Sequence, residues 1–201
     1  MNGHSFLGVK MSKEDKREAI LQATLELVAE HGFHDAPCSL IAERAGVAAG
    51  TIYRYFESKE LLINALYLEL EGKIYAVLLN GYEEENTIEE RFFHLATGLL
   101  RFFISSPLEF KYVEQFHNSP FGVAFRRDRV LGNTNGCDIY RTLFEQGVEQ
   151  GNLKELPLVL LFDLAFGPIV SVARNHILGF ITLDDKLVNK VVSACWDSLK
   201  R

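Results

Sequence analysis

The chain has 201 residues, of which 48% are hydrophobic, and it carries a formal net charge of −6 at neutral pH. This length and apolar content allow a sizeable buried core, which excludes global disorder. The most apolar stretch, residues 156–180, is interrupted by charged and polar side chains, which argues against a membrane span. The N-terminus lacks the apolar segment of a secretory signal. We therefore expect a cytoplasmic protein whose residues 1–12 are a disordered segment or a tag remnant.

The three cysteines, Cys38, Cys137 and Cys195, are far apart and odd in number. They predict neither a disulfide framework nor a metal site. The sequence also lacks a glycine-rich phosphate loop and the spacing of a catalytic nucleophile with its base. We expect no enzyme activity, no cofactor and no metal.

The first elements in chain order are helices. Ser12 and Asp15 have the spacing of a capping box, and apolar residues then follow at helical intervals up to Gly32, which favours a helix end. Pro37 opens a second helix, and Gly46 ends it and turns the chain. A third helix covers about residues 49–56.

The third helix has an outer face with side chains suited to DNA. Ile52 and Phe56 are four residues apart and face inward, so the intervening polar and aromatic side chains are left outside. Hydroxyl and cationic groups bind phosphates, and small residues at the helix start allow close approach to a duplex. The pattern predicts a helix-turn-helix, although an ordinary helical hairpin with surface aromatics is an alternative.

The remaining chain also predicts helices and no strands. Ser58 caps a long fourth helix, and further helices are expected over residues 87–105, 108–118, 138–150, 157–179 and 184–200. Residues 121–136 are predicted to form an exposed connection, because charged residues and an Asn-rich run occupy them. The fold class is therefore all-α.

Residues 45–56, AGVAAGTIYRYF, followed by SKELL at residues 58–62, resemble the signature of the tetracycline-repressor (TetR/AcrR) family. The resemblance covers about residues 14–74. It implies a DNA-binding domain over residues 13–58, with its motif at about 37–56, and a helical effector-binding and dimerisation domain over residues 59–201.

The resemblance also implies which residues contact DNA. Thr51, Tyr53, Tyr55 and Lys59 are placed on the sugar-phosphate backbone. Ala49, Gly50 and Arg54 are placed near bases, and Ser39 near the duplex at the beginning of the second helix. One departure is that Ala36-Pro37 replaces the hydroxyl residue usual in the family, so a phosphate-binding cap is missing.

The second domain is expected to hold an apolar effector pocket and a dimer interface. Aromatic residues with a few polar groups nearby suggest the pocket: His94, Phe103, Phe110, Glu114, His117, Phe144, Asp163, Phe166 and Arg174. Asp163 stands within an apolar run, so we expect it to be buried and paired, most simply with an arginine; a capping role or a cationic ligand are the alternatives. Apolar residues of the last two helices suggest an interface between two copies: Leu160, Leu164, Val172, Ile177, Leu187, Val191 and Val192.

These features predict a homodimeric repressor released from a palindromic DNA operator by a small, largely apolar effector, with no membrane partner. The net charge of −6 does not itself indicate a DNA-binding protein. Two alternatives remain at this stage. One is a DNA-binding protein of chromosome organisation, and the other is a small-molecule binding protein that does not act on DNA.

Overall fold

The structure, a computed structural model, describes residues 12–130 and 139–201, and its regular structure there is helical. The only strand-like pairing in the described ranges is an isolated bridge between Leu153 and Lys200. The all-α prediction is therefore confirmed. The helices of the described residues are α1 Lys13–His31, α2 Cys38–Arg44, α3 Ala49–Tyr55, α4 Lys59–Leu79, α5 Ile88–Ser105, α6 Pro107–His117, α7 Pro120–Val130, α8 Ile139–Glu149, α9 Leu158–Ile177 and α10 Asp185–Leu199.

The chain divides into two compact units, and the division falls within α4, after Leu66. The sequence placed the domain boundary at residues 58 and 59, where α4 begins. Residues 1–11 of the predicted disordered segment lie outside the described residues. The first unit thus contains α1–α3 together with the first two turns of α4.

The first unit is held together by an apolar core shared by its short helices. Ile20 and Leu27 of α1, Ile41 of α2 and Ile52 of α3 have no exposed surface. Burial of each such side chain contributes roughly 1.5–3 kcal/mol. The helices α2 and α3, with 7 residues each, are too short to be stable alone, so this packing fixes their geometry.

The predicted helix ends of the first unit are confirmed. The Ser12 side chain accepts a hydrogen bond from the Asp15 amide, and the Asp15 carboxylate accepts one from the Ser12 amide. Gly32 ends α1 with φ 84°, a conformation that favours glycine. At the start of α4, the Ser58 hydroxyl accepts a hydrogen bond from the Leu61 amide at 3.1 Å.

The second unit is built around α5, α9 and α10, which pack against one another and are flanked by α8. Its core joins aromatic and aliphatic side chains from all of these helices: Phe92, Leu95, Leu100, Phe144, Leu161, Ile169, Val188, Val192, Trp196 and Leu199.

The helix α9 is apolar enough to resemble a membrane segment. It has 20 residues with a mean hydropathy of 1.5, which would suffice to cross a membrane by length and composition alone. Its buried residues Leu161, Ala165 and Ile169 instead belong to the core of the second unit. We therefore interpret α9 as a core helix of this unit.

The predicted exposed connection over residues 121–136 is wrong in its first half, because α7 covers Pro120–Val130. The Ser119 hydroxyl accepts a hydrogen bond from the Gly122 amide at 3.2 Å and so caps the helix. Pro120 stands at the first helical position, where its missing N–H has no cost. The charged residues that suggested an exposed connection thus lie within a helix. Residues 131–136 lie outside the described residues.

Candidate DNA-binding surface and effector pocket

The turn between α2 and α3 has the geometry of a helix-turn-helix. Gly46 has φ 66°, and the Val47 amide donates a hydrogen bond to the Ala42 carbonyl at 2.9 Å. Ile52 and Phe56 are buried as predicted, with 0% and 6% of their surface exposed. The inner face of α3 is therefore fixed by the core, and its outer face is available.

The predicted DNA-contacting residues of the first unit are all at least partly accessible. Ser39 of α2 and the residues Ala49, Gly50, Tyr53 and Arg54 of α3 are exposed. Thr51, Tyr55 and Lys59 are half-buried.

Tyr53 is the most prominent side chain of this surface, with 57% of it exposed. Its hydroxyl hydrogen-bonds to the Cys38 thiol, and this bond raises the pKa of Tyr53 above its usual value of 10.0. The phenol is neutral at physiological pH, as an unperturbed tyrosine also is, and its hydroxyl can donate or accept a hydrogen bond.

Lys59 already has an intramolecular partner. Its ammonium donates a hydrogen bond to the Phe33 carbonyl at 2.6 Å, which links the start of α4 to the segment after α1. An ammonium has three donors, so two remain for other acceptors. Phosphate binding by Lys59 stays a prediction. Its hydrogen bond to Phe33 gives it a second role, in holding the first unit together.

Arg44 shows why net charge is a poor guide to this surface. Its guanidinium pairs with Glu26 at 3.2 Å and Glu30 at 3.3 Å, and these hydrogen bonds, that to Glu30 first, raise the pKa of Arg44. Part of the positive charge of the first unit is thereby engaged within the unit. We therefore expect DNA binding here to depend on a few well-placed groups instead of a broad basic patch.

The second unit contains a cavity of about 470 Å³. This volume lies in the range of roughly 300–1,000 Å³ typical of small-molecule sites. Most of its wall is aromatic or aliphatic: Ile74, Tyr75, Leu99, Phe103, Phe110, Val113, Tyr140, Val159, Phe162, Phe166 and Val170. The arrangement suits a ligand with a long or bulky apolar part.

The polar groups of the cavity form two sets of contacts. The Tyr67 hydroxyl lies 3.4 Å from His117 Nε2 and 3.5 Å from Glu71 Oε1. Arg174 Nε donates to Glu114 Oε1 at 2.6 Å, and a terminal nitrogen of Arg174 contacts the same oxygen. This hydrogen bond raises the pKa of the Arg174 guanidinium.

The structure brings most of the predicted pocket residues together: Phe103, Phe110, Glu114, His117, Asp163, Phe166 and Arg174 line the cavity. His94 and Phe144 are not among the lining residues. His94 instead hydrogen-bonds to the Leu78 carbonyl at 2.9 Å, and Phe144 is fully buried in the core. The expected burial of Asp163 is wrong, because this residue is exposed although it lines the cavity.

Sequence reasoning missed the contribution of α4 to the cavity. Tyr67, Glu71, Ile74 and Tyr75 line it and share one helical face. That spacing was present in the sequence, but the leucine stripe of the same helix concealed it. Tyr140 and Phe162 were also missed, because an aromatic residue on a core-facing helix is usually a plain core residue.

The outer face of α9 carries exposed apolar side chains. Leu160 is 45% and Leu164 is 37% exposed, whereas the predicted interface residues Val172, Ile177, Leu187 and Val191 are half-buried against the core. Val192 has no exposed surface. Its assignment to an interface is therefore wrong, since it already packs inside its own chain.

Groups of residues suited to metal binding are absent from the described parts of the chain. Cys38 is a free thiol that is half-buried, and Cys195 is a free thiol in the core, where burial raises its pKa to about 11. Cys137 lies outside the described residues.

Comparison with known proteins identifies the family of both units. The model for bacterial regulatory proteins of the tetR family matches residues 20–66, and that for a tetracyclin repressor-like C-terminal domain matches residues 87–200. The fatty acid metabolism regulator protein of Bacillus subtilis (strain 168) is 30% identical, over 90% of this chain and 96% of that protein.

Solved structures agree with this assignment. A TetR family transcription regulator from Marinobacter aquaeolei VT8 has a TM-score of 0.79 and 26% identity, covering 94% of this chain and 97% of that one. The fold is also shared by the transcriptional regulator FadR of Bacillus subtilis in complex with stearoyl-CoA. That chain has a TM-score of 0.70 and 22% identity, covering 89% of this chain and 96% of its own. The protein therefore belongs to the tetR family of bacterial regulatory proteins and is a DNA-binding transcriptional regulator, not an enzyme.

Proposed function

We propose that the protein is a homodimeric repressor that binds a near-palindromic operator in the cytoplasm and is released from it by an acyl-chain effector. The observation that carries the proposal is the exposed, chemically suited face of α3, held by a buried inner face in a chain of this family.

The proposed operator contacts follow from the chemistry of the exposed groups. Tyr53, Thr51 and Tyr55 carry hydroxyls that donate to phosphate oxygens. Arg54 is exposed and has a long, flexible side chain, so its guanidinium reaches a base edge or a phosphate. Close approach of DNA to Ala49 and Gly50 is supported by the open space around Gly50, where an added Cβ would meet nothing within 4 Å. Ser39 and Lys59 complete the proposed contacts.

The proposed dimer is supported by the exposed leucines of α9. Leu160 and Leu164 are four residues apart on one face, and burying them against a second copy would remove exposed apolar area from water. A two-fold dimer presents two reading helices, which require half-sites separated by about 34 Å or a multiple. The near-palindromic operator follows from this symmetry.

The proposed effector class is supported by the shape and lining of the cavity. An apolar wall with a few polar groups suits an amphipathic molecule. The Bacillus subtilis relative is named for fatty acid metabolism, and the FadR structure contains stearoyl-CoA. We propose that this cavity likewise takes a fatty acyl chain.

Release from DNA is proposed to act through α4. The helix supplies Lys59 to the first unit and Tyr67, Glu71 and Ile74 to the cavity wall of the second. A ligand that prefers one position of α4 shifts the population toward that position. A coupling free energy of about 1–3 kcal/mol between the two sites is typical of such regulators.

Selection of bound sequences from random duplex DNA tests the proposal. We expect one near-palindromic site, bound by the dimer, and loss of binding on addition of palmitoyl-CoA or palmitate. Enrichment of many unrelated sites would instead favour a role in chromosome organisation. Absence of any specific binding at low salt would refute the proposed repressor function.

A further inference from the structure

An ion pair joins Arg174 to Glu114 in the wall of the cavity. Both side chains line the cavity, one from α9 and the other from α6. We propose that Arg174 recognises the acidic head group of the effector, and that this group replaces Glu114 as the partner of the guanidinium. The inference rests on the proposed function, in which the cavity takes an acyl chain.

The geometry makes the guanidinium accessible to a ligand. The Arg174 side chain is 46% exposed, and it directs Nε and a terminal nitrogen to a single oxygen of Glu114. A guanidinium is a planar fork that binds a carboxylate or a phosphate through two parallel hydrogen bonds. A ligand with two acidic oxygens therefore offers Arg174 a better-matched partner than the one oxygen it now contacts.

The exchange also satisfies the electrostatics of the site. Arg174 keeps an anionic partner before and after the exchange, and Glu114, with 21% of its side chain exposed, can turn toward water. An uncharged chain would leave the ion pair intact. The pair therefore distinguishes acidic amphipaths from neutral ones.

The apolar wall completes the proposed site. Phe110 and Val113 lie on α6 beside Glu114, and Phe166 and Val170 lie on α9 within two turns of Arg174. An acyl chain held by these residues places its head group near the ion pair. The chain thus supplies affinity through apolar burial, and the head group supplies selectivity.

Calorimetric titration of the full chain with three probes tests the exchange. Palmitate carries its charge next to the chain, palmitoyl-CoA carries phosphates beyond a thioester, and hexadecanol is uncharged. We expect Arg174→Met to weaken binding of the acidic probe about tenfold, as for loss of a charged hydrogen bond, without changing binding of hexadecanol. We expect Glu114→Gln to strengthen binding of the same acidic probe about threefold or more.

The opposite signs are the diagnostic result, because a purely structural ion pair would weaken all probes when either partner is removed. Such equal weakening would overturn the exchange. Arg174→Lys, which keeps the charge but loses the fork, is expected to lie between wild type and Arg174→Met. Arg101→Met removes the Arg101–Asp185 pair, which joins α5 to α10 outside the cavity lining, and should change none of the three affinities.

The probes also separate the two sources of the acidic group. A larger effect of Arg174→Met on palmitate assigns the head group as a carboxylate, and a larger effect on palmitoyl-CoA assigns it as a phosphate. Binding of all probes to wild type with no charge dependence would refute the exchange alone. Failure of every probe to bind wild type would refute the acyl effector and, with it, the exchange.

Discussion

Tyr53 is the exposed tyrosine of α3, with 57% of its surface accessible, and a hydrogen bond with the Cys38 thiol raises the pKa of its phenol. We expect Tyr53→Phe to lower operator affinity about threefold to tenfold, because one hydrogen bond to phosphate is lost. Fluorescence anisotropy on the selected operator and on scrambled duplexes measures this. The loss should be similar for both, because phosphates carry no sequence information.

Arg54, unlike Tyr53, is expected to contribute to sequence specificity. If its guanidinium contacts a base edge, Arg54→Ala should reduce affinity for the operator more than for scrambled DNA, by about 1–3 kcal/mol. Competition titrations with single-base variants of the operator measure the specificity. An equal loss on all sequences would show that Arg54 binds the backbone instead.

Lys59 is expected to contribute to stability as well as to DNA binding. Its hydrogen bond to the Phe33 carbonyl joins two segments of the first unit, so Lys59→Met should lower the free energy of unfolding by about 1 kcal/mol. Urea unfolding followed by circular dichroism measures this. Lys73→Met, on an exposed part of the same helix, is the matched control and should have little effect.

At the residue scale, the sequence predicted which groups are displayed but not their intramolecular partners. Ile52 and Phe56 were predicted to face inward from a spacing of four, and burial confirms it. The Tyr53–Cys38 and Lys59–Phe33 contacts join segments that are distant along the chain. Such contacts depend on tertiary packing, which local patterns do not contain.

Capping controls the start of α5. Thr87 and Glu90 form a capping box, with the Thr87 hydroxyl accepting from the Glu90 amide at 3.2 Å. We expect Thr87→Ala to lower the free energy of unfolding by about 1 kcal/mol, and Thr87→Ser to retain most of it. Urea unfolding at neutral pH measures both variants. Equal destabilisation by the two would mean that the hydroxyl is not the cause.

The capping box at the start of α5 also predicts how the stability of the protein depends on pH. Hydrogen bonds from the Thr87 side chain and then its backbone hold the pKa of Glu90 below its usual 4.5. The folded state thus favours the charged carboxylate, so its contribution is complete above the unfolded-state pKa and is lost as the pH falls through the folded-state pKa. The difference between wild type and Thr87→Ala should therefore shrink in acid, and unfolding titrations at neutral and acidic pH measure it.

Gly122 permits the close approach of α7 to the end of α6. A Cβ at this position would lie 1.9 Å from the Phe116 carbonyl oxygen, which belongs to the backbone and cannot turn aside. We expect Gly122→Ala to destabilise the second unit by several kcal/mol, as severe overpacking does. Gly72→Ala, in open space on α4, should instead stabilise by up to about 1 kcal/mol. Thermal unfolding compares the two.

At the element scale, the strongly periodic helices were predictable, and α7 was not. Apolar periodicity and capping residues identified α1, α5, α9 and α10 with ends close to those observed. For α7, the sequence showed a proline, a glycine and a charge run, which also describe a loop. In the structure, Gly122 packs closely against the α6 backbone. This is a tertiary contact that the local sequence does not reveal.

At the scale of the whole molecule, the exposed leucines of α9 predict a dimer. Leu164→Arg should yield a monomer of normal helicity, because a charge on this face cannot be buried against a second copy. Analytical ultracentrifugation measures the mass and circular dichroism the helicity. Leu68→Arg, at an exposed leucine of α4, is the control that should remain dimeric. A dimeric Leu164→Arg would place the interface elsewhere.

The family was predictable from the sequence, whereas the details of the second unit were less so. The motif at residues 45–56 sufficed to identify the family, which the matches over residues 20–66 and 87–200 confirm. The cavity gathers α4, α5, α6, α8 and α9, and packing of so many helices is not encoded in any local pattern. For example, the spacing of Val192 along α10 was compatible with an interface, whereas the packing of the chain buries it in the core.

The proposed ligand-released repressor is tested most directly by an anisotropy titration of the selected operator with and without palmitoyl-CoA or palmitate, over a series of salt concentrations. We expect tight binding by the dimer that weakens with salt and is lost as the effector saturates the protein. Tyr53→Phe should weaken DNA binding without changing effector affinity, and Arg174→Met should do the reverse. Binding that no acyl compound alters would contradict the ligand-released repressor.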